Sequence, residues 1–327
     1  MLYKDLQNFG AVKSNEPLAK HTTFKIGGLA EYFVTVSETE QLIGLLRFLD
    51  GQGIAYFIIG GGSNMLAADT GFHGVVVHIK TQKSEVRDME IMAEAGCITV
   101  AIAQLSLQTG LTGFEWGVGV PGTIGGAVRG NAGAMGGEIR DSVKKVTVYR
   151  DGEVIELSNP ECKFGYRDSI FKNNSDVILS VELTLKKTAD QNGRKKALEY
   201  LQYRNKTQPQ GFSSTGCIFK NYEIKNHEWE NKNQFNLKQN LLDKFPEDSE
   251  KIAKFFAIGK ISAGWLVEKA GMKGIQIGQA KVSETHGNFV VNLGGASAVD
   301  VIRLVEQIKE KVYTEIGVIL EEEIQII

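Results

Sequence analysis

Proline is scarce in this chain. Only 5 of its 327 residues are Pro, with 3 Cys and 3 Trp. A basic excess is also missing: 37 Lys and Arg stand against 39 Asp and Glu, for a net charge of −2. A protein that tracks a phosphate backbone normally shows that excess, so nucleic acid is not expected as a partner. No apolar run approaches the ~18 residues of a membrane helix, and no membrane association is expected. The first residues, 1–13, lack an apolar core of the kind that marks a secretory leader. Cys97, Cys162 and Cys217 are odd in number, far apart and free of any C-x-x-C pair. That excludes a disulfide framework and a zinc site, and the cytoplasm is the expected location. No G-x-G-x-x-G opens a helix and no G-x-x-x-x-G-K-[ST] occurs, so the Rossmann and P-loop readings fail.

Glycine, by contrast, is plentiful. There are 37, and they cluster. The run Gly60-Gly61-Gly62-Ser63-Asn64 follows a short apolar stretch, Ile54 to Ile59, that reads as a buried strand. A second run, residues 117–137, carries Gly at about every third position. Glycine lets a backbone take positive φ and approach a ligand closely, and successive N–H groups in such a turn make an anion nest. The first run alone reads equally as a nest or as a tight connecting turn. The second is longer than a turn needs. Its Pro121, Thr123, Ile124 and Asn131 would fix its shape and supply hydrogen bonds. Two such loops point to a cradle for an extended, phosphate-bearing ligand.

The pattern between these loops is mixed. Ser37 and Glu40 form an S-x-x-E box before a helix expected over 37–50, with Leu42, Leu45, Leu46 and Leu49 on one face. Residues 143–148 and 154–157 flank Asp151-Gly152, a hairpin signal. Alternating apolar residues from Val177 to Leu185 read as a half-buried strand. The polar run 186–196 reads as a domain boundary. Residues 222–250, rich in Asn, Lys and Glu, read as an insertion or mobile surface segment. A helix is expected over 298–312, and a strand from Val318 to Ile327.

Four side chains could carry chemistry. Arg167 suits a carboxylate or phosphate, although taken alone a surface ion pair with Asp168 or a neighbour is the commoner use. Cys217, beside Lys220, could donate a proton or attack; a buried thiol is the commoner use of a free cysteine. Glu321 and Glu323 would share a face of the terminal strand, as paired carboxylates or as a solvated edge. His286 has no metal-ligand spacing around it, and no metal is expected.

Taken in order, these segments resemble the UDP-N-acetylenolpyruvoylglucosamine reductase (MurB) family. The resemblance runs through residues 21–28, 60–64, 120–127, 131–134, 166–169, 216–221, 262–268, 273–274, 282–283 and 320–324. It covers nearly the whole chain. It implies an α+β fold, with an FAD-binding domain of the vanillyl-alcohol-oxidase (PCMH) type in two subdomains followed by a substrate domain. The expected divisions are 1–70, 71–190 and 191–327, the last with an insertion at 222–260.

The resemblance also implies the reaction. NADPH delivers a hydride to FAD, and the reduced flavin passes it to UDP-N-acetylglucosamine enolpyruvate, giving UDP-N-acetylmuramate for peptidoglycan. No protein partner is required. Gly60, Gly61, Gly62, Ser63, Asn64, Pro121, Gly122, Thr123, Ile124, Gly125, Ala127 and Asn131 match the cofactor-binding positions. Tyr166, Lys220 and Asn221 match substrate-binding positions, and Arg167 and Glu323 match the family's catalytic pair. The family's usual proton donor is a serine, and this chain has Cys217 in its place. A thiol, at about 8.5 when unperturbed, donates a proton more readily than a hydroxyl. The segment after Ser169 is short, as in the branch without a tyrosine-bearing substrate loop. The rival readings are an oxygen-using FAD oxidase, an inactive nucleotide-binding module and a non-redox transferase acting on UDP-sugars.

Overall fold

A computed structural model describes residues 1–188, 192–224 and 232–327. Residues 189–191 of the polar run and 225–231 of the 222–260 segment lie outside the described residues. Contacts divide the chain into two compact units. The first comprises 1–22, 28–63 and 70–206; the second comprises 23–27, 64–69 and 207–327.

Two sheets build the first unit. One holds β1 (Ala11–Pro17), β2 (Leu29–Val36), β3 (Tyr56–Ile59) and β4 (Phe72–Ile79), in the order β1-β2-β4-β3. β1 runs antiparallel to β2, while β2 and β3 both run parallel to β4. A parallel pair needs a crossover, and helix α1 (Thr39–Gln52) supplies the one from β2 to β3. α1 buries Leu42, Leu45, Leu46 and Leu49, the stripe read from sequence. Its N-cap is Glu38 with no side-chain cap bond, so the expected Ser37–Glu40 box is not formed. Gly53, at φ +63°, ends it.

The other sheet is antiparallel. It orders β5 (Ser84–Arg87), β6 (Glu90–Glu94), β7 (Val143–Arg150), β8 (Glu153–Ser158) and β9 (Val177–Thr184) as β8-β7-β9-β6-β5. The β7–β8 hairpin turns at Asp151-Gly152, as the dipeptide predicts. One continuous core joins α1, both sheets and helix α2 (Thr99–Gln108). Helix α3 (Ile124–Arg129) forms inside the second glycine run, residues 117–137. The unit ends on helix α4 (Asn192–Thr207), whose Ala197 is buried in this same core with Tyr200 and Leu201 against it. The dividing point is therefore 206/207, beyond the polar run 186–196.

The second unit centres on an antiparallel sheet of β10 (Ser213–Cys217), β11 (Gln276–Ile277), β12 (Ala280–Val282) and β13 (Phe289–Asn292), ordered β10-β13-β12-β11. Its core includes residues that the composition assigned to the surface. Helix α5 (Lys232–Lys244) buries Leu237 and Leu241, helix α6 (Ser249–Ile258) buries Ile252 and Phe256, and Phe245 is buried between them. Helix α7 (Ala263–Lys269) presents Trp265 to them. The indole stacks edge-on against Phe245 and Phe255, at 5.5 and 5.4 Å, and donates to Asp248 at 2.9 Å. Residues 222–223 pair with 260–261 and close the base of this pair of helices. So few apolar residues suffice because they recur at helical spacing; a count of composition misses that.

Helix α8 (Ala298–Ile316) buries Val301, Leu304, Val305, Ile308 and Val312, ends at Gly317 and starts with a Ser297–Asp300 capping box. The long terminal strand expected from Val318 is not formed. The segment makes one bridge, Glu322 to Phe219, and a short strand β14 (Gln325–Ile326) parallel to Met65–Leu66. Val318, Leu320 and Ile324 are buried, but Ile326 is exposed.

Candidate active site

In the first unit the two glycine loops lie side by side. The Gly61 backbone runs so close to Gly122 that an added Cβ would sit 2.7 Å from the Gly122 Cα. Gly62, at φ +59°, packs against the His21 carbonyl, with Thr22 Cα 2.9 Å from where a Cβ would go. Gly122 has φ +103°. Ser63 Oγ donates to the Pro121 carbonyl at 3.3 Å. At 60–64 and 121–128 the exposed residues are Gly61, Asn64, Pro121 and Gly126, with Gly60, Ser63, Gly122 and Gly125 half-buried. No charged side chain occurs in 60–64 or 117–128. A neutral strip of peptide groups, two of its glycines at positive φ, is the donor set that phosphate oxygens need. The residues present fit the diphosphate of a dinucleotide.

Not every residue expected to touch a cofactor faces outward. Thr123 spends its hydroxyl on the Gly126 N–H, capping α3, and Ile124 and Ala127 are core residues. Asn131 is fully buried. Its amide donates to the Gly165 carbonyl at 2.7 Å and to Glu138 at 3.0 Å, and its Oδ1 accepts from the Arg140 N–H at 3.3 Å. These four shape the loop from within.

Asn131 also brackets Arg167. The Arg167 guanidinium donates to the carbonyls of Gly133 at 2.7 Å and Asn131 at 3.4 Å. It lies 3.9 Å from the Glu138 carboxylate and 5.2 Å above the Tyr166 ring. The arginine itself has φ +53°, a strained conformation for a bulky residue. Lys172 secures its carbonyl at 2.6 Å. Strain held by this many bonds fixes one orientation of the side chain. Its charge partner is Glu138, a residue the sequence gave no reason to single out, since nothing local places a carboxylate 29 positions earlier beside an arginine.

In the second unit Cys217 and Glu323 lie on hydrogen-bonded neighbouring segments. The Glu323 N–H donates to the Ile218 carbonyl at 2.8 Å, and the Lys220 N–H donates to the Glu321 carbonyl at 2.8 Å. Glu321 pairs with the Lys220 ammonium, and Glu322 pairs with Lys309 at 2.9 Å. Asn221 Oδ1 accepts the Ala263 N–H at the start of α7, at 3.1 Å. The Cys217 segment has a second support. Asn288, 3% exposed, grips Phe219 twice, accepting from its N–H at 2.9 Å and donating to its carbonyl at 2.8 Å. Asn288 belongs to no local motif. An Asn inside an apolar strand start was the available signal, because a buried amide must be bonded to something.

Three free thiols differ in environment. Burial pushes the Cys97 and Cys162 thiols up to about 11, which makes them poor nucleophiles and poor acids. Cys217 is half-buried. His286, half-buried, is held below its usual range, chiefly by desolvation and then by the nearby Lys273; its Nδ1 accepts the Asn288 N–H at 3.2 Å, a structural bond.

Comparison with known proteins decides the family. Residues 208–327 match the C-terminal domain of UDP-N-acetylenolpyruvoylglucosamine reductase, and residues 30–158 match an FAD binding domain. The chain is 37% identical over 321 residues to the UDP-N-acetylenolpyruvoylglucosamine reductase of Carboxydothermus hydrogenoformans, covering 97% of this chain and 94% of that one. It is 36% identical to that of Clostridioides difficile, over 97% and 93%. The chain belongs to the UDP-N-acetylenolpyruvoylglucosamine reductase family. The crystal structure of the Thermus caldophilus reductase superposes with a TM-score of 0.72 at 29% identity, over 97% of this chain and 98% of that one. In this reductase fold the FAD binding match falls in the glycine-loop unit. The C-terminal match begins at residue 208, beside the 206/207 division.

Proposed function

We propose that the chain reduces UDP-N-acetylglucosamine enolpyruvate to UDP-N-acetylmuramate in peptidoglycan precursor synthesis, with FAD as cofactor and NADPH as reductant. The near-full-length relationship to reductases of that name carries the reading. Residence in the cytoplasm belongs to the same proposal, supported by three free cysteines. Among the described residues no helix is long and apolar enough to cross a membrane.

FAD, when bound, would supply the hydride chemistry that links NADPH to the methylene carbon of the enolpyruvyl group. The chain's own residues do the rest. The backbone of Gly60 to Ser63 and of Pro121 to Gly126 would hold the FAD diphosphate. Hydride addition leaves negative charge conjugated to the substrate carboxylate, and preorganised donors stabilise it most where they need not move. Arg167, its guanidinium fixed by two carbonyls, is suited to that charge. Glu323, if protonated, donates a hydrogen bond to the forming oxyanion. Cys217 gives the proton that completes the new C–H bond. Tyr166, Lys220 and Asn221 contact the UDP-linked substrate. For Asn221 that role would fall to its amide nitrogen, since its Oδ1 already holds α7.

The test is spectroscopic. The purified protein is expected to show a flavin band that NADPH bleaches without oxygen. Adding UDP-N-acetylglucosamine enolpyruvate should restore it. A flavin band that oxygen restores and this substrate does not would favour an oxidase. No flavin band after FAD is supplied would remove the cofactor.

A further inference from the structure

Asn64 closes the first glycine loop, and on sequence it belongs with the cofactor contacts. In the structure its polar groups serve the carboxylate segment. Asn64 Nδ2 donates to the Glu323 carbonyl at 3.1 Å, and the Asn64 carbonyl accepts the Gln325 N–H at 3.0 Å. The Glu323 N–H is already committed to the Ile218 carbonyl at 2.8 Å. The backbone of Glu323 is thus tied on one side to the segment carrying Cys217 and on the other to Asn64.

The anchor itself is firm. Met65–Leu66 pairs in parallel with β14, and the Ala68 N–H donates to the Ile327 carbonyl at 2.6 Å. The Asp69 carboxylate accepts the N–H groups of Ala298 and Val299 at the start of α8, at 2.8 and 3.1 Å. The stretch from Asn64 to Asp69 is therefore held at its far end by a helix of 19 residues.

We propose that Asn64 is a positioning residue for Glu323. It fixes the carbonyl side of the Glu323 peptide, and so the direction in which the Glu323 side chain leaves the chain. The proposal rests on the reductase reading, in which Glu323 supplies the catalytic carboxyl. The bond needs a donor. An aspartate at 64 has the same shape but faces the Glu323 carbonyl with lone pairs, and two acceptors repel.

Asn64 is exposed, so its replacement should not unfold the protein. In Asn64→Asp the flavin content and the rate of bleaching by NADPH are expected to stay within about twofold of the parent, while return of the band on adding substrate slows at least about tenfold. Asn64→Gln keeps a donor on a longer arm and should recover part of that loss. In cofactor-free Asn64→Asp, hydrogen exchange at the Gln325 and Ile327 amides should quicken, a readout that needs no turnover. Loss of flavin, or bleaching and return slowing together, would make Asn64 a cofactor contact and overturn the proposal. Unchanged return and unchanged exchange would overturn it too. A failure of the reductase reading shows earlier and separately, as a parent protein whose bleached flavin never returns with this substrate.

Discussion

In the first unit the groups that face outward at 60–63 and 121–126 are mainly peptide groups, shaped by Gly60, Gly61, Gly62, Gly122 and Gly125, where an added Cβ would lie within 3 Å of a neighbouring atom. In the second unit the groups we propose to react are side chains, Cys217 and Glu323; the Glu323 backbone is bonded to Ile218 and Asn64, and Asn288 holds Phe219, two residues beyond Cys217. Arg167 shows the second habit within the first unit, a side chain fixed by carbonyls. The difference has a chemical reason. A diphosphate offers many equivalent oxygens and is well served by a row of N–H donors. Proton donation needs one atom at one place, and that calls for a side chain whose base does not move.

That contrast can be broken. The largest effect is expected from Cys217→Ala, which removes the proposed proton donor and should lower turnover by roughly 10²–10⁴-fold with flavin still bound. Cys217→Ser should retain much of the activity, because a hydroxyl can still donate. Gly62→Ala attacks the other half. A Cβ there meets the His21 carbonyl at a φ that alanine adopts only under strain. FAD affinity, measured by flavin fluorescence on titrating the apoprotein, should fall roughly tenfold or more. A Gly62→Ala protein that binds FAD normally would mean the loop geometry is not what holds the cofactor. The smallest effect on chemistry is expected from Leu241→Ala. Leu241 is buried in the core shared by Ile218, Phe219 and Leu320, so its loss should cost about 2–5 kcal/mol in denaturant unfolding. A change below about 0.5 kcal/mol would return α5 to the surface segment suggested by its composition.

Much of this was legible in the sequence. The glycine runs announced backbone sites, the leucine stripe of α1 and the apolar face of α8 were read in place, and the Asp-Gly hairpin formed as expected. What escaped has physical causes. The S-x-x-E box at Ser37 offered a cap that the helix, starting at Thr39, does not use. Composition marks 222–250 as a surface segment, although its few apolar residues fall at helical spacing and Trp265, further along the chain, supplies their partner. The C-terminal residues alternate like a strand, but their polar groups bond to Ile218 and Asn64 rather than to one long partner. The roles of Asn64, Asn131 and Asn288 depend on partners 259, 34 and 69 positions away, beyond any local pattern. The catalytic assignments of Arg167, Cys217 and Glu323 came from the family resemblance, since each has a simpler structural use when taken alone.

The account turns on where the loss in Cys217→Ala falls. A stopped-flow trace of that variant, mixed first with NADPH without oxygen and then with UDP-N-acetylglucosamine enolpyruvate, separates the two steps. The expected trace bleaches at the parent's rate and then stalls, with return of the flavin band slowed at least about a hundredfold. Equal slowing of bleaching and return would contradict the division of labour, and Cys217 would then be no proton donor.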